Sequence, residues 1–201
     1  MTGAFAEPER SARSAALTRA WERCWPTDEP VGWMLRRAHP DRWVRFHSLP
    51  SLAAQATTVA ERGEMERRHL TVLRELPRDG AFVVIADDFA GESRADAGFV
   101  DPGWAQRLRP HAWPWRHFAG PEPDPSDHWF WSWSCHDVEG LVPLLGVVRD
   151  AEVDAVITTS DAAWVYAPYD AGADVILPDT AARDALRERH RAWLSPLPAG
   201  L

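Results

Sequence analysis

The chain has 201 residues and a net charge of −8, and all 22 of its basic residues are arginine. A hydrophobic content of 45% suits one domain, residues 1–201, with a sizeable core, and excludes a disordered chain. An acidic balance disfavours nucleic acid, whose binding rests on neutralising phosphates, and no apolar run approaches the ~18 residues of a membrane span.

The imbalance lies in the later part of the chain. Residues 1–78 hold 13 Arg against 10 acids, whereas residues 79–201 hold 9 Arg against 20 acids. That distribution suits a basic protein partner or mere solubility. The first ten residues lack the charged-then-apolar plan of a signal peptide. Cys24 and Cys135 lie outside any CxxC pair, so a cytoplasmic, reducing setting is expected, with both thiols buried rather than bridged.

Residues 8–25 place Leu17, Ala20, Trp21, Cys24 and Trp25 on one face of a helix that ends before Pro26. Residues 32–37 and 42–49 read as two short strands around a His39-Pro40-Asp41 turn. In the second strand Val44 and Phe46 share one face, and Trp43, Arg45 and His47 share the other. An aromatic, a cation and an imidazole in a row form a candidate site, set against the plainer reading of a covered or solvated strand face. A long helix is expected after Pro50, running to Leu76. Met65, His69, Val72, Leu73 and Leu76 form its apolar stripe, and His69 reads as a satisfied core histidine.

Residues 81–86 form a continuous apolar run, a strand covered on both faces that ends in Asp87-Asp88. Those two carboxylates fit either sheet-end chemistry or a solvated loop. Residues 113–118 suggest another strand, and the proline-rich residues 120–127 an extended connector. From His128 to Cys135 a strand would align Trp129, Trp131 and Trp133 on one face. Such a row could stack on sugar rings, but twelve Trp in a chain this size must mostly go inside, each ring burying ~150–250 Å². A helix follows with Val138, Leu141, Val142, Leu145 and Val148 on its stripe, capped by Ser134 or Asp137. Residues 153–178 alternate β-branched runs with Ser/Asp and Pro/Asp/Gly clusters, which predicts a three-strand meander. Asp170 and Gly172 close its last turn, Gly172 with a positive φ. A final helix begins at Asp179 or Thr180.

The chain carries no GxGxxG, P-loop, HExxH or GxSxG. Cys135-His136-Asp137 is no catalytic array, because neighbours on a strand point apart; Cys135 stays as a candidate reactive thiol. The histidines 111, 117, 128 and 136, or Asp87, Asp88, Asp170 and Asp174, have no ligand spacing, so neither a metal nor a cofactor is expected.

Trp43-Val-Arg-Phe-His-Ser-Leu-Pro50, Arg68-His69 with Thr71-Val-Leu73, and Pro168-Tyr-Asp-Ala-Gly-Ala-Asp-Val-Ile-Leu-Pro178 with the ending from Trp193 to Leu201 resemble an uncharacterised bacterial family. It is a domain of unknown function common in actinobacteria. Where that family has Ser-Lys-Arg-Tyr after the first motif, this chain has Leu52-Ala-Ala-Gln55; a His-Asn pair is His69-Leu70 here, and an Asp-Gly-Gly turn is Asp170-Ala171-Gly172. The resemblance implies an α+β cytoplasmic protein and no particular activity.

The expected fold is therefore α+β: a single mixed, mostly antiparallel sheet of about five to seven strands with helices on its faces. The leading functional expectation is a non-enzymatic module, accessory or immunity-type, that docks a basic protein through Trp43, Arg45, His47, Tyr169, Asp170 and Asp174. The competing one is a small hydrolase or transferase whose catalytic candidates are His47, Arg45, Asp170 and Asp174. Carbohydrate binding on the row of three indoles is the third.

Overall fold

A computed structural model of the chain describes residues 7–50, 55–90, 103–119, 127–151 and 153–195. Seven strands form one open sheet: β1 (Trp43–His47), β2 (Phe82–Ala90), β3 (Trp113–Ala119), β4 (Asp127–Cys135), β5 (Asp154–Thr159), β6 (Val165–Tyr169) and β7 (Gly172–Ile176). Their order is β1-β7-β6-β5-β2-β4-β3, and every neighbouring pair is antiparallel. The fold is α+β. The expected admixture of parallel pairs is absent among the described residues, because hairpins and returning connections join all the neighbours.

Among the described residues six α-helices flank the sheet: α1 (Glu7–Cys24), α2 (Gly32–Ala38), α3 (Val59–Glu75), α4 (Trp104–Leu108), α5 (Val142–Ala151) and α6 (Thr180–Arg189). No helix among the described residues is long and apolar enough to cross a membrane. Register assigns the sheet faces, because directly opposed residues point the same way. Phe46, Ala173, Val175 and Tyr166 share the face packed by α3, α5 and α6. Trp43, Arg45 and Asp174 share the face packed by α2, while α1 covers the far end of that face near β3.

The local reasons for these elements are visible in the residues. α1 buries Leu17, Ala20 and Trp21, and the Trp25 indole that follows donates to Ala162 O at 2.8 Å. α3 starts at Val59 rather than just after Pro50, because Thr58 and Glu61 close a capping box there. Pro143 is tolerated in the first turn of α5, where its missing N–H costs nothing. Asp137 Oδ1 accepts from Gly140 N at 2.6 Å and turns the chain into that helix. Asp179 caps α6 by accepting from Ala182 N at 2.7 Å.

Four expectations are corrected. Residues 32–37 are helical, so no hairpin forms around His39-Pro40-Asp41. Gly32 sets α2 against the sheet: a Cβ there would stand 2.6 Å from Ala167 Cβ, and Leu35 is fully buried. The strand from residue 81 runs on through Asp87 and Asp88 to Ala90, since both are paired with β4, and α4 was not anticipated. Gly172 does not have a positive φ; glycine is needed because a Cβ would collide with Phe46 O across the β1–β7 ladder. The row on β4 is graded: Trp133 is buried, Trp131 half-buried and Trp129 47% exposed, so it offers no three-ring platform to solvent. The expected connector at 120–127 lies outside the described residues except for Asp127, which opens β4.

Candidate functional site

The alternation of β1 puts Trp43, Arg45 and His47 on one face, and pairing with β7 sets Arg45 opposite Asp174 and His47 opposite Gly172. Tyr169, at the end of β6, also pairs with Gly172. Asp174 is 4% exposed, so its charge must be met inside the protein. Arg45 donates through Nε at 2.8 Å and Nη2 at 3.0 Å, the two-pronged geometry suited to a carboxylate. Trp43 Nε1 donates to the same carboxylate at 2.8 Å, and Arg36 Nη1 reaches it from α2 at 3.3 Å. The Arg45 guanidinium lies 5.5 Å from the Trp43 ring centre and 5.1 Å from that of Tyr169. Burial works to lower the Arg45 pKa, but the hydrogen bonds and charge of Asp174 outweigh it and the pKa is raised. Burial also raises the Tyr169 phenol, which stays protonated.

His47 adjoins this cluster without joining its hydrogen bonds. Neither ring nitrogen meets a hydrogen-bonding partner among the described residues. Burial, followed by the charges of Arg45 and Arg68, lowers its pKa and keeps the imidazole neutral. Asp170 Oδ1 accepts from Ala171 N at 2.7 Å, and Ser48 N donates to Ala171 O at 2.8 Å, so His47 and Asp170 lie at the same end of the sheet. The cluster contains no imidazole–carboxylate pair.

Above Asp174 a shallow cavity of about 150 Å³ opens between α2 and the strand ends. Trp33 and Tyr169 line it, with Pro30 and Pro168 beside them and the exposed Asp154 at its rim. Trp33 is 49% exposed. Sequence reasoning missed Trp33 and Arg36 because residues three apart fall on opposite faces of a strand but on one face of a helix. Reading the segment as a helix is the signal that would have found them.

Two other polar groups are buried nearby. His69 sits between Ser48 Oγ (3.0 Å from Nε2) and Tyr166 Oη (2.6 Å from Nδ1), a satisfied core histidine that ties α3 to β1 and β6. Asp87 Oδ2 meets His128 Nδ1 at 2.7 Å across β2 and β4, while its Oδ1 has no partner among the described residues. The Cys135 thiol donates to Asp137 O at 3.1 Å, and burial raises its pKa, so it is not an activated nucleophile. Cys24 and Cys135 are both free thiols. Among the described residues no group of three or more His, Cys, Asp or Glu gathers in a way that could hold a metal ion.

A family model described as Domain of unknown function (DUF3885) matches residues 31–198. The chain belongs to this family. The DUF3885 match takes in all seven strands and the whole Asp174 cluster, and leaves α1 outside. No curated protein and no solved structure matches the chain. DUF3885 carries no assigned function, so function is argued from the site.

Proposed function

We propose that this DUF3885 protein is a non-enzymatic docking module, and that it grips a basic side chain of a protein partner in the cavity between Trp33 and Tyr169. The half-exposed Trp33 at the mouth of that cavity carries the reading. A volume of about 150 Å³ suits one long side chain and falls below the ~300 Å³ at which small-molecule pockets begin. Trp and Tyr are the residue types that dominate protein-binding hot spots. The two guanidiniums beneath the cavity both donate to Asp174, whose single charge offsets one of them. What faces the incoming group is two aromatic rings, a setting for a cation. The acidic balance of residues 79–201 steers such a partner inward. Two free thiols accord with a cytosolic setting.

The hydrolase or transferase reading needs an imidazole held by a carboxylate in this pocket. Among the described residues His47 has no such partner, and the Asp174 oxygens are taken by Arg45, Arg36 and Trp43. The geometry therefore supports docking over catalysis. Sugar stacking on β4 has only Trp129 well exposed to draw on.

The test is capture from the host lysate on immobilised wild type, Trp33→Ala and Tyr169→Ala, washed across a salt series. The reading expects one protein retained by wild type, released by salt and lost with both variants. Capture that ignores Trp33→Ala, or no capture at all, sinks it.

A further inference from the structure

The charges at the floor of the Trp33 cavity do not balance, and the imbalance narrows what can occupy it. Arg36, Arg45 and Asp174 all line this cavity. Arg45 commits Nε and Nη2 to Asp174, at 2.8 and 3.0 Å. Arg36 reaches the same carboxylate with Nη1 alone, at the longer distance of 3.3 Å, and its guanidinium lies 5.7 Å from the Trp43 ring centre. Two permanent cations therefore share one anion. Asp154, at the exposed rim, is engaged with a partner of its own.

The surplus charge comes with donors to match. Among the described residues no hydrogen bond engages Arg36 Nε, Arg36 Nη2 or Arg45 Nη1. None of the three is sealed from solvent, and the Arg36 side chain is 24% exposed. A guanidinium holds its N–H groups in a fixed plane that suits a carboxylate. A lone cation entering between Trp33 and Tyr169 meets this excess positive charge at close range and is repelled. The same cation with a carboxylate on its own residue is held at both ends. The volume decides where that carboxylate sits. About 150 Å³ takes one side chain and leaves no room beside it for an acidic side chain from a neighbouring residue. A residue with both a positive side chain and a carboxylate is a basic residue at the C-terminus of a chain.

We propose that this cavity binds the C-terminal residue of its partner, an arginine or lysine. The side chain lies between Trp33 and Tyr169, and the terminal carboxylate accepts from Arg36. The inference rests on the docking reading and adds the end of the partner chain to it. The rings act on the cation and Arg36 on the carboxylate, so mutation separates the two halves of the site.

Isothermal titration of the whole chain with acetyl-Gly-Gly-Arg ending in a free carboxylate, and with the same peptide as its C-terminal amide, tests the proposal. The free acid should bind saturably, at least about tenfold tighter than the amide, and more weakly as salt rises. Acetyl-Gly-Gly-Leu as the free acid, which lacks the cation, should bind about tenfold more weakly than the arginine peptide. Arg36→Gln should bring the arginine acid down to the affinity of its amide and leave the amide no weaker; Asp174 keeps the Arg45 fork in that variant. Trp33→Ala should weaken acid and amide alike. An acid preference that survives Arg36→Gln, or no saturable binding of the acid, overturns the proposal. Equal affinity for acid and amide, lost in Trp33→Ala, overturns this proposal alone and leaves the docking reading standing, which lysate capture decides separately.

Discussion

At the residue scale Asp174 bears the greatest electrostatic demand. Its two oxygens receive Trp43, Arg45 and Arg36 while almost shut off from solvent. Truncating one side of a buried ion pair strands the other, at a cost of about 3–5 kcal/mol. Asp174→Ala should lose stability of that order in urea unfolding. Arg36→Met and Arg45→Met combined with Asp174→Leu should lose clearly less, because neither guanidinium is then left facing a missing carboxylate. Asp170→Ala should cost only about 1 kcal/mol, the scale of one local backbone hydrogen bond. If Asp174→Ala proved as mild as Asp170→Ala, the cluster would not be structural. His69 makes a second prediction. Burial, and then the charge of Arg149, lowers its pKa from 6.5 to about 4. The unfolded chain therefore takes up this proton first as pH falls. Stability is full above about pH 6.5 and declines toward pH 4, by about 3 kcal/mol in all. In urea unfolding, wild type should lose about 3 kcal/mol more than His69→Gln between pH 7 and 4; parallel pH profiles would refute it.

At the scale of elements, the edge strand β1 depends on one glycine. A side chain at Gly172 would press into Phe46 O, so Gly172→Ala must push β1 away from β7. Overpacking of this kind costs about 1–3 kcal/mol. Because β1 lies at the edge, the damage should be local: amides of residues 43–47 lose hydrogen-exchange protection while those of β2 and β5 keep it. Uniform loss of protection would mean that β1 is integral to the core. The α2 segment was misread for a related reason. Seven residues are too few for a helical period to stand out, and what makes it helical is the fit of Gly32 and Leu35 against strands encoded much later in the chain. By contrast α3, with its capping box and stripe, and β5 through β7, with turn residues between β-branched runs, carry their signals locally.

At the scale of the whole molecule, the family match begins at residue 31, yet α1 belongs to the core. Trp21 is fully buried and edge-on to Trp115 at 5.8 Å, the Trp115 indole donates to Thr18 Oγ1, and Trp25 is bonded to Ala162 O. A chain starting at residue 31 exposes those partners. It should melt well below the full chain, or lose its cooperative transition, in near-ultraviolet circular dichroism. An unchanged transition would make α1 an appendage.

The sequence by itself determined what depends on near neighbours: the α+β class, the apolar stripe of α3, the cap of α6, the alternation that sets Trp43, Arg45 and His47 on one face, and the turn at Asp170. It also made His69 legible as a core residue, from its place on an apolar stripe. The tertiary structure alone decided which charges meet. Arg45 and Asp174 were both candidates, but only strand register aims the Arg45 fork at Asp174 and leaves His47 without a carboxylate among the described residues. Arg36 and Trp33 enter through a helix that no local pattern announces, and Asp87 finds His128 across a ladder between distant segments. Secondary structure follows from hydrogen bonds and side-chain periods a few residues long. Charge neutralisation and cavity shape follow from contacts between residues far apart in the chain, which no short-range pattern encodes.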